Sequence, residues 1–149
     1  MENNGQMLSY ALDYAKRGLA VFPVKIDKSP YISKGFKAAT IDEAQIERRW
    51  KQWPEANIAI ATGQVSGGVC VIDVDLNEEI GKNGYKTMKE FEQSYGDVMR
   101  PSWMARTGRG GCHYFFKADD VIKCRIDIMP GVDIRGDGGY IVAPPSIHK

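Results

Sequence analysis

Apolar residues recur at Leu8, Ala11, Leu12 and Ala15, the spacing of one helical face, and Gly18 supplies a stop. Residues 20–24 follow as a short continuous apolar run, the pattern of a buried strand. A polar Lys28-Ser-Pro loop and a Lys34-Gly35 turn come next and form a candidate binding edge. Thr40-Ile-Asp-Glu43 reads as a capping box in which the threonine hydroxyl accepts a backbone N–H, so a helix is predicted from there to about Gln52. Residues 57–61 and 69–74 are β-rich runs joined by a glycine-bearing connection suited to a hairpin or a longer loop. Tyr85, Met88, Phe91 and Glu92 predict a third helix up to Tyr95, stopped by Gly96. Four short strand candidates, 102–106, 112–117, 132–134 and 140–143, lie between glycine-bearing turns. Helices in the first two thirds with strands clustered afterwards predict an α+β fold rather than regular alternation of parallel strand and helix.

Composition narrows the function. At 149 residues with 43% hydrophobic and 26% charged side chains, the chain has the size and apolar content of one folded domain and not of a disordered segment. Its formal net charge of +1 excludes a polybasic nucleic-acid tail, so any contact with a polyanion must be local. The charge is unevenly spread: residues 1–51 carry nine basic and six acidic groups, residues 52–98 three and eight, residues 99–149 eight and five. That order can place carboxylates among phosphate-binding cations, although a mixed solvated surface has the same composition. The apolar stretch at residues 19–24 is too short for a bilayer, and no leader-like segment is expected. Cys70, Cys112 and Cys124 are odd in number and widely spaced, which fits a reducing, cytoplasmic compartment.

Three constellations carry candidate chemistry. In Val69-Cys-Val-Ile-Asp-Val-Asp75, two aspartates end an apolar run although aspartate is disfavoured in strands. The period of two puts Asp73 and Asp75 on one face with Cα atoms roughly 6.5–7 Å apart, able to converge on a hard divalent cation; two acids reaching solvent at a strand end is the plainer alternative. In Arg106-Thr-Gly-Arg-Gly-Gly-Cys-His113, glycines Gly110 and Gly111 can let backbone N–H groups approach a phosphate, with His113 binding phosphate or moving a proton. The spacing matches neither a P-loop nor a dinucleotide fingerprint, and a glycine hairpin with a half-buried histidine is the alternative. In the third, Asp133 and Arg135 share a strand face with Asp137 in the next turn; Asp133 could complete a three-carboxylate site, or pair with Arg135 in an ordinary surface ion pair. Ser146 and His148 follow the rigid Pro144-Pro145 end of the last strand as weaker candidates. Tyr10, Trp50, Trp53 and Trp103 could stack on bases, but aromatic residues on such elements are expected in the core.

Taken in order, Val71-Ile-Asp-Val-Asp75, Gly110-Gly-Cys-His113-Tyr-Phe-Phe and Gly131-Val-Asp-Ile-Arg135, followed by Gly138-Gly-Tyr-Ile-Val-Ala-Pro-Pro-Ser146, resemble the bifunctional DNA primase/polymerase domain of the archaeo-eukaryotic primase superfamily. The resemblance covers nearly the whole chain. It implies an RRM-like α+β catalytic core with an N-terminal α/β subdomain and mixed or antiparallel sheets. Residues 1–149 would be one such domain, cut from a larger replication protein of a plasmid, phage or mobile element. It further implies nucleotidyl transfer from nucleoside triphosphates on a single-stranded DNA template, with a helicase domain or protein as partner and no membrane. Two divalent ions, Mg²⁺ or Mn²⁺, would be held by Asp73, Asp75 and Asp133. His113, with Gly110, Gly111 and Arg135, would contact the nucleotide.

The sequence departs from that family at Gly111, where a hydroxyl residue is usual, so backbone N–H groups would replace that contact. No zinc-binding insertion is recognisable, which bears on primer initiation more than on extension. Two other classes remain open: a nucleotide- or DNA-binding module without catalysis, and a two-metal nuclease.

Overall fold

The computed structural model describes residues 5–97 and 99–147. Helix α1 (Gln6–Lys16) precedes strand β1 (Val21–Val24), and helix α2 (Glu43–Gln52) precedes β2 (Asn57–Ala61) and β3 (Val69–Val74). A small hairpin of β4 (Leu76–Asn77) and β5 (Lys82–Asn83) leads into helix α3 (Gly84–Tyr95). The remainder is β6 (Trp103–Arg106), β7 (Cys112–Lys117), β8 (Arg125–Met129), β9 (Val132–Arg135) and β10 (Tyr140–Ala143). Every named strand pair is antiparallel, and the architecture is α+β. Among the described residues no helix is long and apolar enough to cross a membrane.

Two principal sheets form, in the orders β1-β2-β10 and β6-β7-β3-β9-β8. The smaller one is buried on both faces, which is why Val-Phe-Pro-Val and Asn-Ile-Ala-Ile-Ala lack clean alternation. One of its faces, with Val21, Ile58, Ile60 and Ile141, packs under α1 and α2 together with Val71 and Phe115 of the larger sheet. Its other face, Phe22, Val24 and Ala59, is covered by Ile32, Phe36 and Ala39 from the loop after β1. The larger sheet turns its opposite face to α3, where Val74, Met88 and Val132 form a separate core. The N-terminal layer is therefore not built from the N-terminus alone: β10 closes its sheet by pairing with β2.

Of the two connections expected after β2 the structure takes the longer loop, because β2 and β3 belong to different sheets and residues 62–68 carry the chain from one to the other. Two other local expectations change. The α2 cap is Asp42 rather than Thr40, its side chain accepting from Gln45 N at 2.8 Å. Thr40 is held back in extended form because its backbone exchanges two hydrogen bonds with Val21, and its hydroxyl instead accepts from Asp42 N. Asp42→Ala should accordingly cost about 1 kcal/mol in denaturant unfolding. An unchanged midpoint would rule Asp42 out as the cap. Strand β8 was not expected: it is an exposed edge whose register breaks at Asp127, a residue with φ of 51°.

Among the aromatic candidates, Trp50 is buried and donates to Ala56 O, and Trp103 stacks between Tyr14 and Phe115. Trp53 is half-buried against Tyr31. Tyr10 departs from its core expectation at 41% exposed, on the outer side of α1.

Candidate active site

Strand β3 lies at the centre of the larger sheet, so its residues 71–74 face a partner on both sides. Val71 stands opposite Phe115 on β7 and Arg135 on β9; one step along the same face, Asp73 stands opposite His113 and Asp133. Val71 and Phe115 join the main core, and the next row is polar. Pairing thus sets His113, Asp73 and Asp133 side by side, although they lie far apart in the chain. Asp75 follows the strand end, pinned by its N–H to Gly131 O and by Gly84 N to its carbonyl, both at 2.8 Å. Glycine is required at that junction: a Cβ on Gly84 would lie 2.3 Å from Gly131 O.

The row is largely withdrawn from solvent, with His113 at 9% and Asp133 at 6% exposure. His113 Nε2 is 3.2 Å from Asp73 Oδ1, near enough for charge attraction, yet that buried oxygen meets no hydrogen-bonding geometry among the described residues. Arg135 reaches both neighbouring acids, with Nη2 3.1 Å from Asp133 Oδ2 and Nε 3.9 Å from Asp73 Oδ2. Asp133 Oδ1 accepts from Asp127 N at 2.8 Å, so both oxygens of Asp133 are engaged. The Asp133–Arg135 pair is therefore not a surface ion pair. Lys82 Nζ stands 3.7 Å from Asp75 Oδ2.

Burial by itself would raise the Asp73 carboxyl, but His113, then Arg135 and Lys28, outweigh it and hold the group below the ordinary carboxylate value. Asp75 moves the other way: burial and then the negative charge of Asp73 push it up, only partly offset by Lys82. A carboxyl raised in the folded state favours folding below its unfolded value, near pH 4, and loses that advantage as pH rises through the folded value. Asp75→Asn should therefore raise the metal-free melting temperature slightly at pH 7, by about 1–2 °C, since the Asp75 side chain itself is 40% exposed. The gain should vanish below pH 4 in a thermal melt series; a lower melting temperature at pH 7 would refute it.

These groups open on a cleft of about 810 Å³ between the two sheets, a size typical of ligand sites. Asp73, Asp75, His113 and Arg135 line it, as do Lys28 and Ser146. Lys82, Arg106 and Arg109 also line it and were not singled out from the sequence as site residues; only the glycines flanking the two arginines hint at their position. Cations and acids from all three thirds of the chain meet here. Asp133, Gly110 and Gly111 do not line the cleft. Gly110, at φ of 84°, makes the turn and its carbonyl accepts from Tyr85 Oη; Gly111 is packed against the end of β3. His148 lies outside the described residues.

The chain matches the family described as bifunctional DNA primase/polymerase, N-terminal, over residues 11–149. It belongs to that family. Comparison with individual curated proteins gave no match. A function of the DNA primase/polymerase type follows for this domain from its family. The row centred on Asp73 occupies the part of the domain where its acidic pair, its histidine and its later aspartate converge.

A divalent cation is a reasonable guest for these donors. Asp73 and Asp75 are hard oxygen ligands facing the cleft, and Asp73 Oδ1 is a buried oxygen without a hydrogen-bond partner. Among the described residues, however, no three His, Cys, Asp or Glu side chains are grouped to hold a metal ion by themselves. The prim-pol cleft therefore offers a cation two carboxylates, Asp73 and Asp75, with Asp133 kept back by Arg135.

Proposed function

We propose that the cleft transfers nucleotides from nucleoside triphosphates to a 3′-hydroxyl on a single-stranded DNA template, in the replication of a plasmid, phage or mobile element. The observation that carries this reading is the position of Asp73: an acid at the centre of the sheet, flanked at one register by His113 and Asp133, at the floor of a cleft rimmed by cations. Asp73 and Asp75 would hold two Mg²⁺ or Mn²⁺ ions, joined by Asp133 if Arg135 lets go. The chemistry such ions supply is charge neutralisation at the leaving pyrophosphate and acidification of the attacking hydroxyl. His113, Arg106, Arg109 and Lys28 would bind phosphate oxygens and fix the triphosphate in line with the attack. The basic rim would also follow a template backbone.

The test is incorporation of labelled nucleotide by the purified chain, on primed and unprimed single strands, with Mg²⁺ or Mn²⁺. Product on a primed strand that disappears with EDTA is the expected result, and product without a primer adds initiation. A second reading, a nucleotide- or DNA-binding module, is favoured by one observation: both Asp133 oxygens are already engaged. Nucleotide binding by a folded chain that makes no product with either metal would establish that module and overturn catalysis.

A further inference from the structure

The three carboxylates of the site already have cations, and the chain itself supplies them. One guanidinium, Arg135, spans Asp133 and Asp73, at 3.1 and 3.9 Å, and the Lys82 ammonium stands 3.7 Å from Asp75. Acids and bases differ in how firmly they are held. The side chains of Asp73 and Asp133 are 13% and 8% exposed, whereas those of Arg135 and Lys82 are 30% and 34% exposed and both line the cleft. Lys82 stands on β5, in a hairpin whose outer turn, residues 78–81, is exposed. Asp73 and Asp133 are enclosed, Asp75 at 40% is about as open as Lys82, and both cations line open space into which they can turn. Without the counter-ions, the carboxylates would repel one another across a poorly solvated gap. Even with them, Asp73 Oδ1 makes no hydrogen bond, its neighbour His113 Nε2 standing 3.2 Å away.

We infer that Arg135 and Lys82 are exchangeable counter-ions. They neutralise the acidic cluster before a divalent cation enters, give up the carboxylates to it, and turn onto the triphosphate oxygens, for which a guanidinium is suited in pairwise fashion. The inference rests on the nucleotidyl-transfer reading and adds Lys82 to the residues that meet the nucleotide. It has a quantitative consequence. While the ion-paired state dominates, divalent-cation affinity is reduced by the small fraction of molecules in which the carboxylates are free.

The experiment is Mn²⁺ binding followed by electron paramagnetic resonance, on metal-stripped protein without nucleotide. Arg135→Gln and Lys82→Gln are compared with wild type and with Arg109→Gln, which removes the same charge from the same cleft. Arg109 makes no ion pair among the described residues. Arg135→Gln and Lys82→Gln should bind Mn²⁺ roughly five- to tenfold more tightly than wild type, with Arg109→Gln within about twofold. Equal or weaker binding in both variants, or the same tightening in Arg109→Gln, overturns the exchange. Lys82→Gln, on an exposed hairpin, decides the matter should Arg135→Gln fail to fold. The expected order of affinities in a chain that makes no product would overturn nucleotidyl transfer and leave the exchange standing. Product with unchanged affinities would do the reverse, and no Mn²⁺ binding by any form would overturn both.

Discussion

Asp73→Asn should lower nucleotide incorporation at least about 100-fold while leaving the chain folded, the scale expected when a charge-stabilising group is removed from a transition state. The side chain keeps its shape and loses only its charge and one acceptor oxygen. Asp73 is flanked in one register by His113 and Asp133, and both oxygens of Asp133 are already engaged, so that acid does not stand in for it. The structural cost should be modest, because Arg135 keeps its 3.1 Å contact to Asp133. It should also depend on pH in a defined direction. A carboxyl held low in the folded state adds stability above its unfolded value, near pH 4, and loses it as pH falls through the lower folded value. Wild type should therefore exceed the variant in melting temperature at pH 7, and the two should converge on acidification below pH 4. Primer extension with Mn²⁺, beside circular dichroism melts at pH 7 and pH 3, checks both parts. Extension within tenfold of wild type would remove Asp73 from the chemistry.

Gly111→Ala should destabilise the fold by about 1–3 kcal/mol, the usual cost of forcing a methyl group into packed backbone. A Cβ at this position would lie 2.4 Å from the carbonyl oxygen of Val74 and 2.8 Å from Thr107 Oγ1. The first of these is backbone at the end of β3, between Asp73 and Asp75, and cannot turn aside as a side chain can. Loss of conformational freedom in the unfolded chain would favour alanine by less than that. At about 2–4 °C per kcal/mol for a chain of this size, the melting temperature should fall clearly. The same displacement should disturb the acidic pair, so Mn²⁺ affinity should drop with stability. A variant as stable as wild type would mean that Gly111 is not packed, and would return it to the phosphate-facing role that the sequence suggests.

That contrast marks where sequence reasoning reached its limit. Helices α1, α2 and α3 and seven of the ten strands were legible because their apolar positions recur with the right period or form short buried runs. Strand β8 was not, since an exposed edge strand with a bulge at Asp127 buries too little to leave a pattern. The α2 cap was misplaced by two residues because Thr40 has the right side chain for a cap but a backbone committed to Val21. Asp73 and Asp75 were legible because two acids at the end of an apolar strand need a reason, whereas His113 and Arg135 stood out only through the order of motifs that carries the family resemblance; all four line the cleft. Lys82 left no signal, being an ordinary lysine in a short polar hairpin.

The local pattern by itself determined the three helices, seven of the strands and the α+β class, because periodicity and turn chemistry act over a few residues. Only the tertiary structure decided that β10 returns to pair with β2, that Asp73 sits between His113 and Asp133, and that Arg135 and Lys82 are the cations that meet these acids. Strand register is set by long-range pairing between segments tens of residues apart, and no window along the chain contains both partners.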